Sequence, residues 1–317
     1  MTEQPDLPPE SSGSGTTAGT RSGFVGLAGR PNVGKSTLVN AIVGAKVAIA
    51  SVRPQTTRRA IRGVATDLDA GTQLVLVDLP GVQRPRDELT SRMQKTVESE
   101  LAGADVALLV INGEEGVGPG DRFIAETLLG ARSATGGLPI ICAVNKSDRL
   151  GRGIVPVLVE AAALAGVDEV FPVSALTGDG VPDLVSCMTG LMPPGPYLYP
   201  PGEHSDQPRE LLLAELIRGQ ALIRTREEIP HSVEVRVTGI EQRDDGLWLV
   251  DAEIWVESDS QKRILIGRKG FKVGEIGTGA RKDIEAELGG QVHLELQVKV
   301  RRKWRRDEDM LDRLGID

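Results

Sequence analysis

Apolar positions occur in short runs separated by polar stretches over the first part of the chain. Six such runs lie between Phe24 and about Leu191: FVGLA, IRGVATDL, QLVLVDLP, ADVALLVI, LPIICAV and EVFPVSA. Runs that are apolar on both faces, such as ADVALLVI, are typical of strands buried between two helix layers. The pattern predicts an α/β fold with a six-stranded, mainly parallel sheet. One antiparallel hairpin is expected where IRGVATDL and QLVLVDLP flank a short turn.

The pattern changes after a stretch rich in Pro and Gly. Residues 193–208 stop any helix or central strand, so we predict a linker there, between a first domain at residues 23–192 and a second at 209–317. The second domain reads as helix, two alternating strands, two helices interrupted at Gly267–Gly270, and a last strand, in the order α-β-β-α-α-β. Residues 1–22 are rich in Pro, Gly, Ser and Thr and are expected to be a disordered extension.

Composition excludes several classes of protein. Hydrophobic residues make up 40% of the chain, yet no run approaches the roughly 18 apolar residues of a membrane-spanning helix. The chain does not start like a secretory signal, which favours the cytoplasm. Cys142 and Cys187 are expected to be small buried residues in a reducing compartment. His204, His231 and His293 lack the spacing of metal ligands, so no metal is assigned to them.

Charge is distributed unevenly along the chain. The net charge is −8, but residues 261–306 contain 13 Lys and Arg against 5 Asp and Glu, or 13 − 5 = +8, so the rest of the chain sums to −16. The net charge argues against binding nucleic acid over the whole surface, and it leaves an acidic body with one basic face near the C-terminus to be explained.

The segment GRPNVGKS at residues 29–36 carries the first chemical signal. It follows the run FVGLA and precedes the helical stretch STLVNAIVG, which is the context of a phosphate-binding P-loop. Its backbone N–H groups would wrap the phosphates, Lys35 would neutralise charge on the β and γ phosphates, and Ser36 would ligate Mg²⁺. The predicted phosphate contacts are Gly29, Arg30, Pro31, Asn32, Val33, Gly34, Lys35, Ser36 and Thr37.

Two further motifs follow in order. Asp78, in DLPG, is placed to hold Mg²⁺ through a water, and the Gly81 N–H could contact a γ-phosphate.

NKSD at residues 145–148 follows the run LPIICAV. The Asp148 carboxylate can accept hydrogen bonds from N1–H and the exocyclic amine of guanine, a donor pair that adenine lacks. Asn145 would brace the P-loop, and the Lys146 stem would lie along the base. The motifs therefore predict GTP or GDP with Mg²⁺.

At these motifs the chain resembles the translation-factor-related GTPases. The resemblance implies that Thr57, in SVRPQTTR at residues 51–58, contacts Mg²⁺ and the γ-phosphate. It also implies that Ser174, Ala175 and Leu176 complete the guanine site, with the Ala175 N–H reading O6. The predicted metal ligands are then Ser36, Thr57 and Asp78.

Val82 follows DLPG where Ras-like enzymes carry the glutamine that orients the attacking water, and a valine cannot do this. Resemblance to a subgroup with a hydrophobic residue here implies that Asn32 helps to bind K⁺ in place of an arginine finger. The predicted catalytic residues are Lys35, Thr57, Gly81 and Asn32.

In the second domain, Gly267-Arg268-Lys269-Gly270 resembles the GXXG loop of a type II KH domain, an α+β fold. Two glycines allow close approach of a sugar-phosphate backbone, while Arg268, Lys269 and Lys272 would meet phosphates beside a groove for about four unpaired bases. For the basic tail Arg301, Arg302, Lys303 and Arg305 around Trp304, two interpretations stay open. They are further RNA contact, with stacking, or a solvated segment that Trp304 anchors in the core.

The whole arrangement resembles the bacterial Era GTPase family from about residue 22 to the end. The resemblance implies GTP-controlled binding to the 3′ region of 16S ribosomal RNA in 30S subunit assembly. It also implies peripheral membrane association, which no feature of this sequence requires, and we expect a monomer. An alternative is an RNA-binding assembly factor for which GTP is mainly a placement signal. A related RNA-modification GTPase is disfavoured, since its extra domain would precede the first sheet.

Overall fold

Two separate β-sheets divide the chain into an N-terminal and a C-terminal module. A computed structural model describes residues 19–48, 57–82, 85–225 and 229–316, so residues 1–18 of the predicted extension and residues 51–56 of SVRPQTTR lie outside the described part. The N-terminal sheet has the order β2-β3-β1-β4-β5-β6. Its strands are β1 (Arg21–Ala28), β2 (Ile61–Asp67), β3 (Thr72–Asp78), β4 (Val106–Asn112), β5 (Ile140–Asn145) and β6 (Glu169–Pro172).

This sheet is parallel except for the β2–β3 hairpin, which is antiparallel. The helices of this module are α1 (Lys35–Val43), α2 (Glu88–Ala102), α3 (Pro119–Thr135), α4 (Ile154–Ala162) and α5 (Val181–Leu191). Every residue of β4 is buried, because α1 and α5 pack on one face of the sheet and α2, α3 and α4 on the other. The predicted six-stranded, mainly parallel fold is confirmed.

The C-terminal module is built on a three-stranded sheet in the order β7-β8-β9. Its elements are α6 (Arg209–Arg224), α7 (Ile229–Ser232), β7 (Glu234–Gln242), β8 (Trp248–Val256), α8 (Asp259–Ile266), α9 (Phe271–Leu288), β9 (Val292–Val300) and α10 (Glu308–Arg313). Strands β7 and β8 are antiparallel, and β8 and β9 are parallel. The predicted α-β-β-α-α-β order is confirmed. The short helices α7 and α10 were not predicted, because four to six residues are too few to show a helical period.

Residues 193–208 form neither helix nor strand, and they run along the N-terminal module. The Gln73 side chain accepts hydrogen bonds from the backbone N–H groups of Leu198 and Tyr199 at 2.7 and 3.0 Å. The Val64 N–H donates to the His204 carbonyl at 2.8 Å. Backbone groups without secondary structure are thus paired with the edge of the first sheet.

An apolar cluster joins the two modules. It is formed by Leu89 and Met93 of α2 together with Trp255, Trp304, Leu311, Leu314 and Ile316 of the C-terminal module. Trp304 is fully buried, and its indole N–H donates to the Ser232 carbonyl at 3.0 Å. Of the two interpretations of the basic tail, the structure therefore supports the one in which Trp304 is a core anchor, and Trp304 cannot stack on RNA.

No helix in the described part of the chain is long and apolar enough to cross a membrane.

Because Leu89 belongs to the apolar cluster that joins the two modules, we predict that Leu89→Ala destabilises the protein. Leu89 is fully buried, so we expect the variant to lose about 2–5 kcal/mol of unfolding free energy through lost apolar contacts and a residual cavity. Urea unfolding followed by tryptophan fluorescence measures this, because Trp255 and Trp304 pack in the same cluster as Leu89. The control is Leu68→Ala, which removes a leucine that is 64% exposed and should change the free energy by less than about 0.5 kcal/mol. Equal losses in both variants would contradict this account of the interface.

Candidate functional site

The carboxyl edge of the first sheet collects the motifs that the sequence predicted to bind GTP. The P-loop follows β1, Asp78 ends β3, Asn145 ends β5, and Ser174 lies just after β6. Parallel strands present their carboxyl ends at one edge, where open α/β sheets bind ligands. The sheet thus brings together residues that are up to 145 positions apart in sequence, from Gly29 to Ser174.

Glycines let the P-loop turn tightly against its neighbours. Gly34 has a φ of 100°, and a Cβ there would lie 2.3 Å from the Asn145 amide nitrogen. At Gly81 a Cβ would lie 3.0 Å from the Pro31 ring, so the DLPG turn packs directly on the P-loop. Lys35 is buried, and its ammonium donates to the carbonyls of Gly29 and Arg30 at 3.2 and 3.4 Å. Burial lowers the pKa of Lys35, and the charge of Asp78 opposes that shift.

Ser36, Thr57 and Asp78 converge in one cluster. The Ser36 hydroxyl donates to Asp78 Oδ2 at 2.5 Å, the Thr57 hydroxyl donates to the same oxygen at 3.2 Å, and the two hydroxyl oxygens are 3.3 Å apart. Asp78 is fully buried, and its Oδ1 has no hydrogen-bond partner among the described residues. Burial raises the pKa of Asp78, while Lys35, Ser36 and Thr57 act in the opposite direction. Three oxygen donors with one unsatisfied carboxylate oxygen fit the hard, oxygen-preferring Mg²⁺.

Asn145 ties the guanine-reading segments to the P-loop. Its amide nitrogen donates to the Val33 carbonyl at 2.9 Å, which is the brace expected from the sequence. Its amide oxygen accepts from the backbone N–H groups of Lys146 and Ala175 at 2.8 and 2.9 Å. Asp148 Oδ1 accepts from the Ser174 hydroxyl at 2.7 Å, which orients the carboxylate.

The remaining predicted guanine contacts are Lys146, Ala175 and Leu176. Leu176 is 74% exposed, and the Lys146 ammonium lies 3.6 Å from Glu114. Because the Ala175 N–H is already bonded to Asn145, its contact with a guanine O6 stays a prediction.

Val82 and Asn32, the two residues on which the predicted hydrolysis chemistry depends, lie in different environments. Val82 is buried in the apolar cluster beneath the sheet, so it presents no group that could orient a water. Asn32 is exposed and has a φ of 66°, a conformation that asparagine adopts more readily than most residues. Thr37 lies behind Ser36 in the first turn of α1 and is half-buried.

Sequence reasoning missed one brace of the P-loop. The Arg30 guanidinium donates to Asp121 at 2.9 Å and lies 2.9 Å from Glu115. Asp121 is fully buried and also accepts from the Gly118 N–H at the start of α3. The Arg30 side chain therefore fixes the loop to α3, and its contact with the nucleotide stays a prediction. A single sequence does not show which distant acidic residue pairs with an arginine of the P-loop, so this contact could not be predicted.

The GXXG loop joins α8 to α9 and borders two grooves. A groove of about 1000 Å³ is lined by Arg224, Gly267–Lys272, Gly274, Glu275 and Thr278. A second groove of about 430 Å³ on the other side of α9 runs between Gly270, Gly274 and Gly277 and the strand residues Val292–Leu294 and Leu296. Gly270 has a φ of 79° and caps the N-terminus of α9, with open space where a Cβ would lie. An N-terminal helix end with free space in front can receive a phosphate.

Phe271 is a further candidate RNA contact that sequence reasoning missed. It follows Gly270, is 70% exposed and lines the larger groove with Arg224. An exposed aromatic ring beside basic side chains is typical of a surface on which unpaired bases stack.

The basic tail is divided between two environments. Arg302 and Lys303 are exposed, as an RNA contact requires. The Arg301 guanidinium lies over the Trp255 ring, 5.4 Å from its centroid, and 3.7 Å from Glu253. Arg305 is only 19% exposed and pairs with Asp87 of the N-terminal module at 2.5 Å. This ion pair assigns Arg305 to the interface and disfavours its predicted contact with RNA.

Comparison with known proteins agrees with both modules. A family model described as 50S ribosome-binding GTPase matches residues 24–146, and a KH domain model matches residues 228–305. GTPase Era of Mycobacterium tuberculosis H37Rv is 48% identical over 299 residues, covering 93% of this chain and 98% of the relative. GTPase Era of Mycobacterium avium is 46% identical over 300 residues, covering 93% and 99%.

Solved structures agree over the same length. A crystal structure of Era in complex with MgGDPNP and nucleotides 1506–1542 of 16S ribosomal RNA superposes with a TM-score of 0.89 at 35% identity, covering 94% of this chain and 99% of that one. A variant of Aquifex aeolicus Era bound to GDP·AlF₄⁻ gives a TM-score of 0.88 at 35% identity, with the same coverage.

The fold and the site together define a P-loop GTPase with a C-terminal KH domain. More specifically, the chain belongs to the GTPase Era family.

Guanine selection predicts a switch of base preference in Asp148→Asn. An amide cannot accept from both N1–H and the exocyclic amine, so GDP affinity should fall by at least about 100-fold. Xanthine carries a carbonyl where guanine carries the amine, so the affinity for xanthosine diphosphate should rise. Fluorescent-nucleotide titration measures both affinities. Asp179→Asn is the control, since Asp179 is exposed and bonds Thr177, and it should leave both affinities unchanged. A parallel loss of affinity for both nucleotides would contradict guanine reading by Asp148.

Proposed function

We propose that the protein binds and hydrolyses GTP and binds the 3′ region of 16S ribosomal RNA during assembly of the 30S subunit. The observation that carries the proposal is the convergence of Ser36 and Thr57 on buried Asp78, at the edge where the guanine motif also lies. The small subunit is favoured because the relative that covers nearly the whole chain was solved with 16S RNA, whereas the model described by the 50S subunit matches only residues 24–146.

Each residue of the nucleotide site has a defined task in this proposal. Ser36 and Thr57 would supply hydroxyl oxygens to Mg²⁺, and Asp78 would hold the ion through a water. When bound, the metal would neutralise negative charge that develops on the phosphates. Lys35 and the P-loop N–H groups hold the β and γ phosphates, while the Gly81 N–H contacts the γ-phosphate. Asp148 selects guanine, Asn145 fixes the loops, and Lys146, Ser174, Ala175 and Leu176 enclose the base.

The RNA site is proposed on the GXXG loop and its grooves. Arg268, Lys269 and Lys272 meet phosphates, Gly267 and Gly270 give the backbone close approach, and the groove along α9 takes unpaired bases. Arg302 and Lys303 extend the basic surface, with Arg301 beside them. The protein acts in the cytoplasm as a monomer, and any attachment to the membrane is peripheral.

The proposal predicts that nucleotide state changes RNA affinity. A fluorescent single-stranded RNA from the 3′ region of 16S RNA should bind with affinities at least about fivefold apart in the presence of a non-hydrolysable GTP analogue and of GDP. The double variant Arg268→Asp/Lys269→Asp should weaken binding at least about tenfold and reduce the salt dependence, because two phosphate contacts are lost. Its GTP hydrolysis without RNA should be unchanged.

The matched control is Lys95→Asp/Arg122→Asp, which makes the same charge change on exposed helix surfaces of the N-terminal module. It should keep RNA affinity close to that of the unmodified protein. Equal weakening by both double variants would show that net charge, and not the GXXG loop, determines binding. Identical affinities with the GTP analogue and GDP would contradict the switch.

A second candidate function is favoured by the burial of Val82. Without a residue at that position to orient water, the protein could use GTP mainly as a placement signal with little intrinsic turnover. In the primary proposal, K⁺ would be held with the help of Asn32 and would supply the missing positive charge.

The two candidates differ in their response to monovalent cations. If K⁺ participates, replacing Na⁺ by K⁺ at constant ionic strength should raise the GTP hydrolysis rate at least about tenfold, since one extra cation stabilises the transition state. Asn32→Asp should remove that stimulation while RNA binding persists. Equal rates in K⁺ and Na⁺ would exclude the K⁺ role, and low turnover in both salts would favour the placement-signal function.

A further inference from the structure

The segment that carries Thr57 is attached to the C-terminal module by the next residue. Thr57 is buried with its hydroxyl on Asp78, and Arg58 is the following residue. Consecutive Cα atoms are about 3.8 Å apart, so a displacement of Arg58 of even a few ångströms has to move Thr57. Strand β2 then begins at Ile61, which fixes the other end of this short segment to the sheet.

Arg58 is held by groups of the C-terminal module. Its guanidinium donates to the Val233 carbonyl at 2.8 Å and to Glu234 Oε2 at 2.7 Å. The same guanidinium lies over the Trp304 ring, 5.4 Å from its centroid. The Arg58 side chain is fully buried, and Glu234 is 1% exposed. A planar cation held by two hydrogen bonds and an aromatic face has little freedom to rotate.

Glu234 is the acidic centre of this contact. Its Oε1 lies 3.8 Å from Arg59, 3.7 Å from Arg218 and accepts from the Val235 N–H at 3.2 Å. Burial opposes ionisation of Glu234, but Arg58, Arg59 and Arg218 outweigh it and lower its pKa to about 2. The carboxylate is therefore charged throughout the physiological range.

Glu215 completes the cluster on helix α6. It lies 2.6 Å from Arg218 and 3.3 Å from Arg59. The three arginines and two glutamates carry 3 − 2 = +1, so removing the charge of Glu234 alone would leave a buried excess of +2. Breaking one partner of a buried pair is costly, so loss of the Glu234 charge is expected to destabilise this contact between the modules.

We propose that Glu234 of the KH module is a positioning residue for the GTPase site. By holding Arg58 it fixes Thr57 beside Ser36 and Asp78, so that Mg²⁺ binding with GTP requires the KH module to be docked. The proposal rests on the metal-binding role of Thr57 given under the proposed function. It adds that a residue 177 positions away in sequence, in the RNA-binding module, controls the geometry of that ligand.

The test compares Glu234→Gln with the unmodified full-length protein. The amide keeps an acceptor for Arg58 but loses the charge, so Thr57 should be held less firmly. We expect the Mg²⁺ concentration for half-maximal GTP hydrolysis to rise about tenfold or more, as on loss of residues that orient metal ligands, and kcat to fall by a similar factor. GDP affinity, which depends on the P-loop and Asp148, should be unchanged.

A second variant separates positioning from folding. Arg58→Met/Glu234→Met removes both partners and leaves the cluster at 2 − 1 = +1, the original net charge. Paired apolar replacements of a buried ion pair are commonly tolerated, so this variant tests the proposal even where Glu234→Gln fails to fold. It should unfold at a urea concentration close to that of the unmodified protein and still show the raised Mg²⁺ requirement. Normal hydrolysis in this double variant would overturn the proposal.

The control is Arg92→Met, which also breaks a contact between the modules. Arg92 donates to Asp312 at 2.5 Å and to the Ile316 carbonyl at 2.8 Å, but it lies on α2 and not beside Thr57. It should leave the Mg²⁺ requirement unchanged. A rise equal to that of Glu234→Gln would mean that any loosening of the interface has this effect, and would overturn the specific role of Glu234.

Thr57→Val distinguishes failure of this inference from failure of the proposed function. If Glu234 acts through Thr57, the double variant Thr57→Val/Glu234→Gln should hydrolyse GTP no more slowly than Thr57→Val alone. If the double variant instead showed the product of the two separate reductions in hydrolysis rate, the inference would be overturned. An unchanged Mg²⁺ requirement in Thr57→Val itself would instead refute the metal-binding role of Thr57, and with it that part of the proposed function.

Discussion

The buried carboxylate of Asp78 is the constraint on which the nucleotide site depends. A fully buried charge needs compensation, and Ser36, Thr57 and Lys35 provide it from two different segments. Pairing of β1 with β3 places Asp78 opposite Leu27, directly before the P-loop. The register of one strand pair thus determines the distance between the phosphate loop and the metal ligand. Thr57 bonds Asp78, and the next residue, Arg58, bonds Glu234, so the C-terminal module is connected to the same site.

Motifs that are local in sequence were predictable because their chemistry depends on a few adjacent residues. The P-loop, DLPG and NKSD each follow an apolar strand, and the strands alone place them at one edge. The contact between Arg58 and Glu234 could not be predicted in this way. It joins residues 176 positions apart. Arg58 is the last residue of SVRPQTTR, but Glu234 lies in none of the motifs. Long-range pairing of charges depends on how two modules dock, which hydrophobic periodicity does not encode.

In the C-terminal module, too, some features could be predicted from the sequence and others could not. Its strand and helix order followed from the alternation of apolar residues, and the GXXG loop from its glycines. The roles of single aromatic side chains were harder to predict. Trp304 and Phe271 are both aromatic residues with basic neighbours in the sequence. One is fully buried at the interface, and the other is 70% exposed beside the GXXG loop. Burial is a property of the packed structure, so the sequence left the function of the basic tail open.

The path of residues 193–208 determines where the two modules can hinge. Because Leu198, Tyr199 and His204 are bonded to the first sheet, most of this stretch belongs mechanically to the N-terminal module. It is therefore not a free tether. Any rotation of the KH domain that leaves these hydrogen bonds intact has to pivot between Ser205, which bonds the Arg62 carbonyl, and the start of α6 at Arg209. A pivot of so few residues keeps the two modules close together and limits how far one can move independently of the other.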